Sequence, residues 1–255
     1  MKLLNFALSF LLLMGCEKKD HKGPETNPDN ILNIAVSSDY PPFIYNKAGK
    51  LEGFEVELIT AIAGKLGKTV QFHDIAFQDI IKTVAKKQVD CAIASIGQTK
   101  KRAKEVDFTM PYHRSMTVIV VPYNASINSL DGLKGKTLGV ESGTTYEEYF
   151  KKKKRNQFKG VKQLNRNKFA DLLEAMHQRK CEAILTGYSE GYEMQSTNPD
   201  LKIIPIEDTV MTFAIALPKG SPLLDKINEV LLEMVKNGEI IKLEKQYFKR
   251  VVTEE

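Results

Sequence analysis

The sequence predicts a two-lobed α/β fold built on parallel sheets. Three observations predict it. Strand-like and helix-like patterns alternate regularly from residue 31 onward, and such alternation gives parallel strands with helices as crossovers. The alternation breaks once, at the turn-rich stretch 124–135, and then starts again, so that both halves run strand-helix three times over. Finally, VDCAIASIG at 89–97 finds an echo in KCEAILTGYS at 180–189.

The elements follow in order. Residues 31–36 read as the first strand, which runs into Ser37-Ser38-Asp39-Tyr40-Pro41-Pro42-Phe43. The prolines end the strand and stiffen the turn. Tyr40 and Phe43 are thereby presented at a strand's carboxyl end, where open α/β sheets bind ligands. Gly49 and Gly53 flank a hairpin-like turn. Residues 54–66 give a helix with Leu58, Ile62 and Leu66 on one face and Gly67 as its stop. A strand at 69–73 and a helix at 78–87 come next. The run 90–95 suits a strand covered on both faces, with a turn at Gly97 and a short helix capped by Thr99. After the β-branched run 115–121, a crossing is placed at 124–135. The second half reads as strands 137–140, 161–164, 182–186 and 201–206, with helices 146–154, 168–179 and 188–196. A strand at 212–217 follows. Ser221 caps a helix with Pro222 at its first position, Asn237-Gly238 stops it, and 239–249 is the last helix.

The 255 residues suffice for one large or two modest domains. A net charge of +5, with acids and bases interspersed, does not favour a nucleic-acid partner. Residues 1–15 read as a signal peptide: Lys2, an apolar stretch too short to span a bilayer, then Leu13-Met14-Gly15-Cys16. That ending resembles a bacterial lipobox, which implies that Cys16 is lipidated and that the protein is anchored to a membrane rather than spanning it. Residues 16–30 would be the lipidated cysteine and a flexible tether with a reach of roughly 20 Å. Cys91 and Cys181 fall in or beside inner strands of different halves. They read as small buried apolar residues, neither a disulfide nor a metal pair. The run 151–155 reads as a solvated basic helix end, with contact to anionic lipid as the sharper alternative.

Lys100, Lys101, Arg102 and Lys104 crowd the start of the helix behind Thr99. Cations there oppose the helix dipole, so an anion docked on free backbone N–H groups and an arginine fork would account for them. A solvated basic turn is the competing explanation. Gly187-Tyr188-Ser189-Glu190-Gly191 fits a nucleophile elbow, but His21, His73, His113 and His177 all precede it. A hydrolase triad of that fold needs its histidine later in the chain, so the match is rejected. The histidines also lack metal-ligand spacing, and no Gly-rich phosphate loop is present. No cofactor is indicated.

A set of short motifs, each weak alone, occurs in order from residue 31 to about 248. These are Tyr40-Pro41-Pro42-Phe43, Leu51-Glu52-Gly53-Phe54-Glu55-Val56-Glu57-Leu58, and Thr99-x-x-Arg102 with Val106-Asp107-Phe108-Thr109-x-Pro111-Tyr112. They are followed by Asp131-Gly132-Leu133-Lys134-Gly135-Lys136, by Ser142-Gly143-Thr144-Thr145, and by the C-terminal helix pair around Asn237-Gly238. Together they resemble the extracytoplasmic solute-binding proteins of amino-acid ABC importers. The resemblance implies a type II periplasmic-binding-protein fold with two crossing strands as hinge and a ligand cleft between the lobes. Lobe one would comprise 31–118 plus 212–255, and lobe two 119–211. It also implies a monomer that closes around its ligand and is read by an ABC permease.

By the same resemblance, Arg102 takes the ligand α-carboxylate, helped by backbone N–H groups of Gly97 and Thr145, while Tyr40 and Phe77 sandwich the ligand side chain. The Ser95 carbonyl accepts from the α-ammonium. Ser37, Asp39, Glu141, Thr144 and Tyr146 border the side-chain pocket, and acidic Asp39 and Glu141 favour a basic ligand such as arginine. The chain departs from the pattern at the ammonium end. Gly187 stands where the family usually has an aspartate, Gly97 where it often has Ser or Thr, and Ser37 where it often has an acid. A buried ammonium left unpaired costs several kcal/mol. Either Glu190, Glu141 or Asp39 is therefore expected to supply the charge, Glu190 foremost, or the ligand carries no α-ammonium. A secreted cyclohexadienyl (prephenate/arogenate) dehydratase on the same fold, with Glu190 as general acid, is the enzyme alternative. A ligand sensor for a membrane receptor is the third.

Overall fold

The computed structural model describes residues 30–248. The proposed signal peptide, Cys16, most of the tether and the end of the last predicted helix lie outside them. Among the described residues the strands and helices are β1 (Ile31–Val36), β2 (Asp39–Tyr40), β3 (Ile44–Lys47), β4 (Lys50–Glu52), α1 (Phe54–Lys65), β5 (Thr69–Asp74), α2 (Phe77–Ala85), β6 (Cys91–Ala92), β7 (Val106–Phe108), β8 (His113–Pro122), β9 (Thr137–Glu141), α3 (Thr145–Lys153), β10 (Lys162–Arg166), α4 (Ala170–His177), β11 (Ala183–Gly187), α5 (Tyr188–Thr197), β12 (Leu201–Phe213), β13 (Ala216–Pro218), α6 (Leu223–Lys236) and α7 (Glu239–Tyr247).

Two sheets organise the molecule, in the orders β5-β1-β6-β13-β7 and β10-β9-β11-β8-β12. Their centres are parallel, as the alternation predicts: β1 lies between β5 and β6, and β9 between β10 and β11. They are not parallel throughout. β13 runs antiparallel to β6 and β7, and β8 antiparallel to β11 and β12. These strands carry the chain between lobes without a helical crossover, so nothing brings it back in the parallel sense.

The crossing strands differ from expectation in an instructive way. In place of separate strands at 201–206 and 212–217, β12 runs unbroken to Phe213 against β8, with a register shift between Pro205 and Val210. Proline has no N–H for the ladder, and a bulge is where a sheet accepts it. The predicted strand 90–95 shrinks to Cys91–Ala92, because Ser95 turns the chain away with φ of 48°. The helix behind Thr99 is a single 3-10 turn, Arg102–Lys104, although Thr99 Oγ1 does accept the Arg102 N–H at 3.2 Å. The small sheet β2-β3-β4 was not predicted beyond a hairpin-like turn. It holds the loop after β1 in place.

Burial follows the predicted faces. Leu58 and Ile62 of α1, Ile80 and Val84 of α2, and Ile227, Leu231 and Met234 of α6 are buried, while Leu66 and Ile81, expected on the same inward faces, are half-buried. Phe43 packs with Phe54, His113, Phe213 and Phe248 at ring separations of 6.1, 5.1, 5.5 and 4.9 Å, which ties the loop after β1 to the crossing strands. Removing such a ring costs about 3–5 kcal/mol. Cys91 and Cys181 are free and buried, and burial pushes the Cys181 thiol up to about 11.

Candidate functional site

A cleft opens between the two sheets at the carboxyl ends of their parallel strands. Its walls are Ser37, Asp39 and Tyr40 after β1, Phe77 after β5, and Ala94, Ser95 and Gly97 after β6, facing Glu141, Thr144, Thr145 and Tyr146 between β9 and α3. The walls stand nearly closed, leaving a cavity of about 20 Å³, room for little more than a water molecule. Both walls are loop-and-helix-start segments, the position at which open α/β sheets present ligand contacts. Thr144 fixes one of them: its hydroxyl caps α3 by accepting the Glu147 N–H at 3.2 Å and donates to the Glu141 carbonyl at 2.8 Å.

The walls touch across the cleft. A Cβ added at Gly97 would sit 2.3 Å from Cγ2 of Thr145, so glycine is what lets these two segments meet. The Tyr40 ring meets Phe169, the residue preceding α4, edge-on at 4.7 Å. Arg102 spans the gap: its Nη1 donates to the Gly97 carbonyl at 2.7 Å and its Nη2 to the Gly143 carbonyl at 2.8 Å. The guanidinium stacks over Phe77 at 5.4 Å and is buried, which lowers its affinity for a proton. Two of its five N–H groups are thus engaged by backbone.

The opposite end is acidic. Asp39, hydrogen-bonded by Ser37 Oγ at 3.3 Å, is raised by burial. Glu141 is 5 % exposed, and burial raises it well above the usual carboxylate range, with the charges of Asp39 and Glu190 adding to this. These two acids reach the pocket from opposite walls; Glu141 feels the charge of Asp39, while Asp39 feels that of Lys168.

Glu190 is fully buried in α5, and burial pushes it up to about 7. A Cβ added at Gly187 would lie 2.3 Å from Glu190 Oε2, 2.4 Å from the Tyr146 hydroxyl and 2.7 Å from Ser115 Oγ. The Glu190 carboxylate therefore occupies the room that the missing side chain at 187 leaves. Its two oxygens and the Tyr146 hydroxyl make no hydrogen bond of acceptable geometry among the described residues, although Tyr40 and Ser115 stand close by.

Of the residues read from the sequence, Ser37, Asp39, Tyr40, Phe77, Ser95, Gly97, Glu141, Thr144, Thr145 and Tyr146 line one pocket. Arg102 and Glu190 stand one layer back, Arg102 against Gly97 and Phe77, and Glu190 near Tyr40 and Tyr146. Glu55 was missed. It is fully buried in the first turn of α1 and is pushed by burial up to about 7. It accepts from Ser95 N at 2.6 Å, Ser95 Oγ at 2.9 Å and the Tyr112 hydroxyl at 2.5 Å. The signal was its spacing: 55, 58, 59 and 62 make one helical stripe, and a carboxylate among apolar neighbours is out of place there. Among the described residues no group of His, Cys, Asp and Glu could hold a metal ion, and no helix is long and apolar enough to cross a membrane.

The model of one family, the bacterial extracellular solute-binding proteins, family 3, matches residues 32–250. The chain is 35 % identical over 233 residues to the arginine-binding extracellular protein ArtP of Bacillus subtilis (strain 168), covering 89 % of each. It superposes on an ancestral arginine-binding protein bound to arginine with a TM-score of 0.80 and 34 % identity, covering 86 % of this chain and 99 % of that one. An ancestral arginine-binding protein bound to glutamine matches with a TM-score of 0.79 and 34 % identity, covering 87 % and 99 %.

Proposed function

The chain belongs to the bacterial extracellular solute-binding proteins, family 3, and from that premise we propose that it captures arginine in the interlobe cleft and hands it to an ABC permease. The family and the relatives are solute-binding proteins rather than enzymes, which sets the dehydratase reading aside. One observation carries the choice of a basic ligand: Asp39 and Glu141 enter one pocket from opposite walls. A guanidinium between them neutralises Glu141, which burial and the charge of Asp39 raise, and adds to the Lys168 charge that already favours Asp39 ionised. A neutral side chain, such as that of glutamine, leaves Glu141 uncompensated.

In this reading Arg102 turns its remaining N–H donors to the ligand carboxylate, and the Gly97 and Thr145 N–H groups complete that cradle. Tyr40 and Phe77 flank the side chain, with Ser37, Thr144 and Tyr146 around it. The Ser95 carbonyl and Glu190 answer the α-ammonium, Glu190 from the place that Gly187 vacates. The protein works as a monomer, its lobes hinging on β8 and β12 near residues 118 and 212. Cys16 carries the lipid, so that the receptor stays at the membrane surface on a flexible tether.

Calorimetry against arginine, lysine, citrulline and glutamine tests the reading. Arginine is expected to bind on the order of 100-fold more tightly than citrulline, its uncharged isostere, since breaking a buried charge pair costs about 3 kcal/mol. Equal affinity for the two would remove the role given to Asp39 and Glu141.

A further inference from the structure

Glu55 stands behind the pocket wall, fully buried in the first turn of α1, and its carboxylate reaches one cleft residue. Its Oε1 accepts the Ser95 N–H at 2.6 Å, the Ser95 hydroxyl at 2.9 Å and the Tyr112 hydroxyl at 2.5 Å. Ser95 itself lines the pocket. It lies just past β6, where φ of 48° turns the chain out of the sheet, so its buried N–H is met by a side chain in place of a strand. A residue other than glycine is uncommon in that conformation, and one oxygen holding both its N–H and its hydroxyl fixes it there. The flanks are anchored by backbone: the Ile93 N–H donates to the Ala35 carbonyl at 3.1 Å, and the Ile96 carbonyl accepts the Ala214 N–H at 3.1 Å. Tyr112 is anchored as well, its N–H donating to the Phe213 carbonyl at 2.9 Å.

The clamp has a chemical consequence for the cleft. Serine owns two donors, the backbone N–H and the hydroxyl proton, and Glu55 takes both. What Ser95 keeps for a ligand is acceptors alone, its carbonyl and the lone pairs of its hydroxyl. Such a surface receives an ammonium and turns away an anion or a neutral acceptor, which would set two acceptors face to face. Two residues further on, the wall has the opposite character, with the Arg102 guanidinium against Gly97. A head group carrying both a carboxylate and an ammonium therefore meets a donor and an acceptor in a fixed order along one short segment.

We propose that Glu55 is a positioning residue that sets ligand specificity through Ser95: by taking both donors of that serine it leaves an acceptor for the ligand's α-ammonium and fixes the orientation of the head group. The proposal rests on the reading that Ser95 meets an α-ammonium, and it names the residue that fits Ser95 for that task.

The test is calorimetry of arginine and of its des-amino analogue, 5-guanidinopentanoate, on the purified protein and on E55M and E55Q. The unaltered protein is expected to prefer arginine by on the order of 100-fold. Methionine fills the space of the glutamate without an acceptor, so E55M gives both donors back to Ser95. Arginine affinity then falls, that of the analogue stays within about threefold, and the preference drops to about tenfold or less. Glutamine keeps an acceptor oxygen on an arm of the same length, so E55Q restores most of the preference. A loss in E55M that strikes both ligands alike, or a preference that E55M leaves intact, overturns the proposal, because a purely structural role does not distinguish the two ligands. An E55Q protein as impaired as E55M overturns it too, since charge rather than hydrogen-bond acceptance would then be at work. Equal affinity of the unaltered protein for the two ligands removes the ammonium reading and the proposal with it. Where E55M does not fold, proton NMR of the unaltered protein decides. The Ser95 amide proton, on a short bond to a carboxylate, is expected far downfield and unmoved by saturating arginine. Its movement upfield on arginine binding would mean that Glu55 gives the donor up to the ligand, which overturns the proposal.

Discussion

The guanidinium of Arg102 holds backbone carbonyls of both lobes, Gly97 and Gly143; the Glu190 carboxylate, one layer behind the pocket beside Tyr40 and Tyr146, makes no hydrogen bond of acceptable geometry among the described residues. Both groups are buried charges brought to the same interface, and their environments have opposite consequences. The basic end is satisfied by the protein itself and needs only a rotation of donors to accept a carboxylate. The acidic end is left raised and unpaired, so that a cation entering there gains what the protein does not supply.

The sharpest break in that contrast is at Arg102. Arg102→Ala removes the interlobe bond to Gly143, the bond to Gly97 and the carboxylate fork, and the expected loss of arginine affinity in calorimetry is on the order of 1,000-fold, corresponding to about 4 kcal/mol. Acid-end effects are smaller and depend on pH. Glu190 has a folded value of about 7 against 4.5 when free, so between those values the folded protein holds the extra proton. The contribution of this group to the stability of the empty protein is therefore full at and below about pH 4.5, is lost as pH rises toward 7 and stays absent above it, by roughly 2–3 kcal/mol, and Glu55, raised to the same value, adds in the same direction. Urea melts at pH 5 and pH 8 measure the fall, and Glu190→Gln should reduce it.

Gly187→Ala tests the space Glu190 fills. The new Cβ would sit 2.3 Å from its carboxylate and 2.4 Å from the Tyr146 hydroxyl, all flexible side-chain ends. Folding should survive while arginine affinity drops about tenfold, roughly 1.4 kcal/mol. The smallest effect is at the pocket mouth: Asp39→Asn, a half-buried acid beside Ser37, should weaken arginine by a few-fold, under about 1 kcal/mol, and leave glutamine unchanged.

How far these features could be read in advance depends on what kind of information each one needs. Arg102 was legible because cations at that position contradict local helix energetics, and the contradiction pointed to an interaction elsewhere. The pocket walls were legible because they sit at strand ends, which periodicity locates well. Glu190 was legible through Gly187, a missing side chain in a familiar pattern. Glu55 gave only its place in the apolar stripe of α1, a signal masked because a glutamate in a first helical turn also satisfies the dipole, and its partners Ser95 and Tyr112 lie forty and more residues away. The unbroken β12 was hidden by Pro205, which reads as an end but sits at a bulge. Antiparallel returns in both sheets were hidden because alternation reports only the crossovers.

The most direct measurement is calorimetry of arginine against its des-amino analogue, 5-guanidinopentanoate, which keeps the carboxylate and guanidinium and lacks the α-ammonium. If the acidic end holds that ammonium, arginine binds at least on the order of 100-fold more tightly at pH 8, about 2.7 kcal/mol, and the gap narrows at pH 5.5. Equal affinity for the two at both pH values would contradict the account.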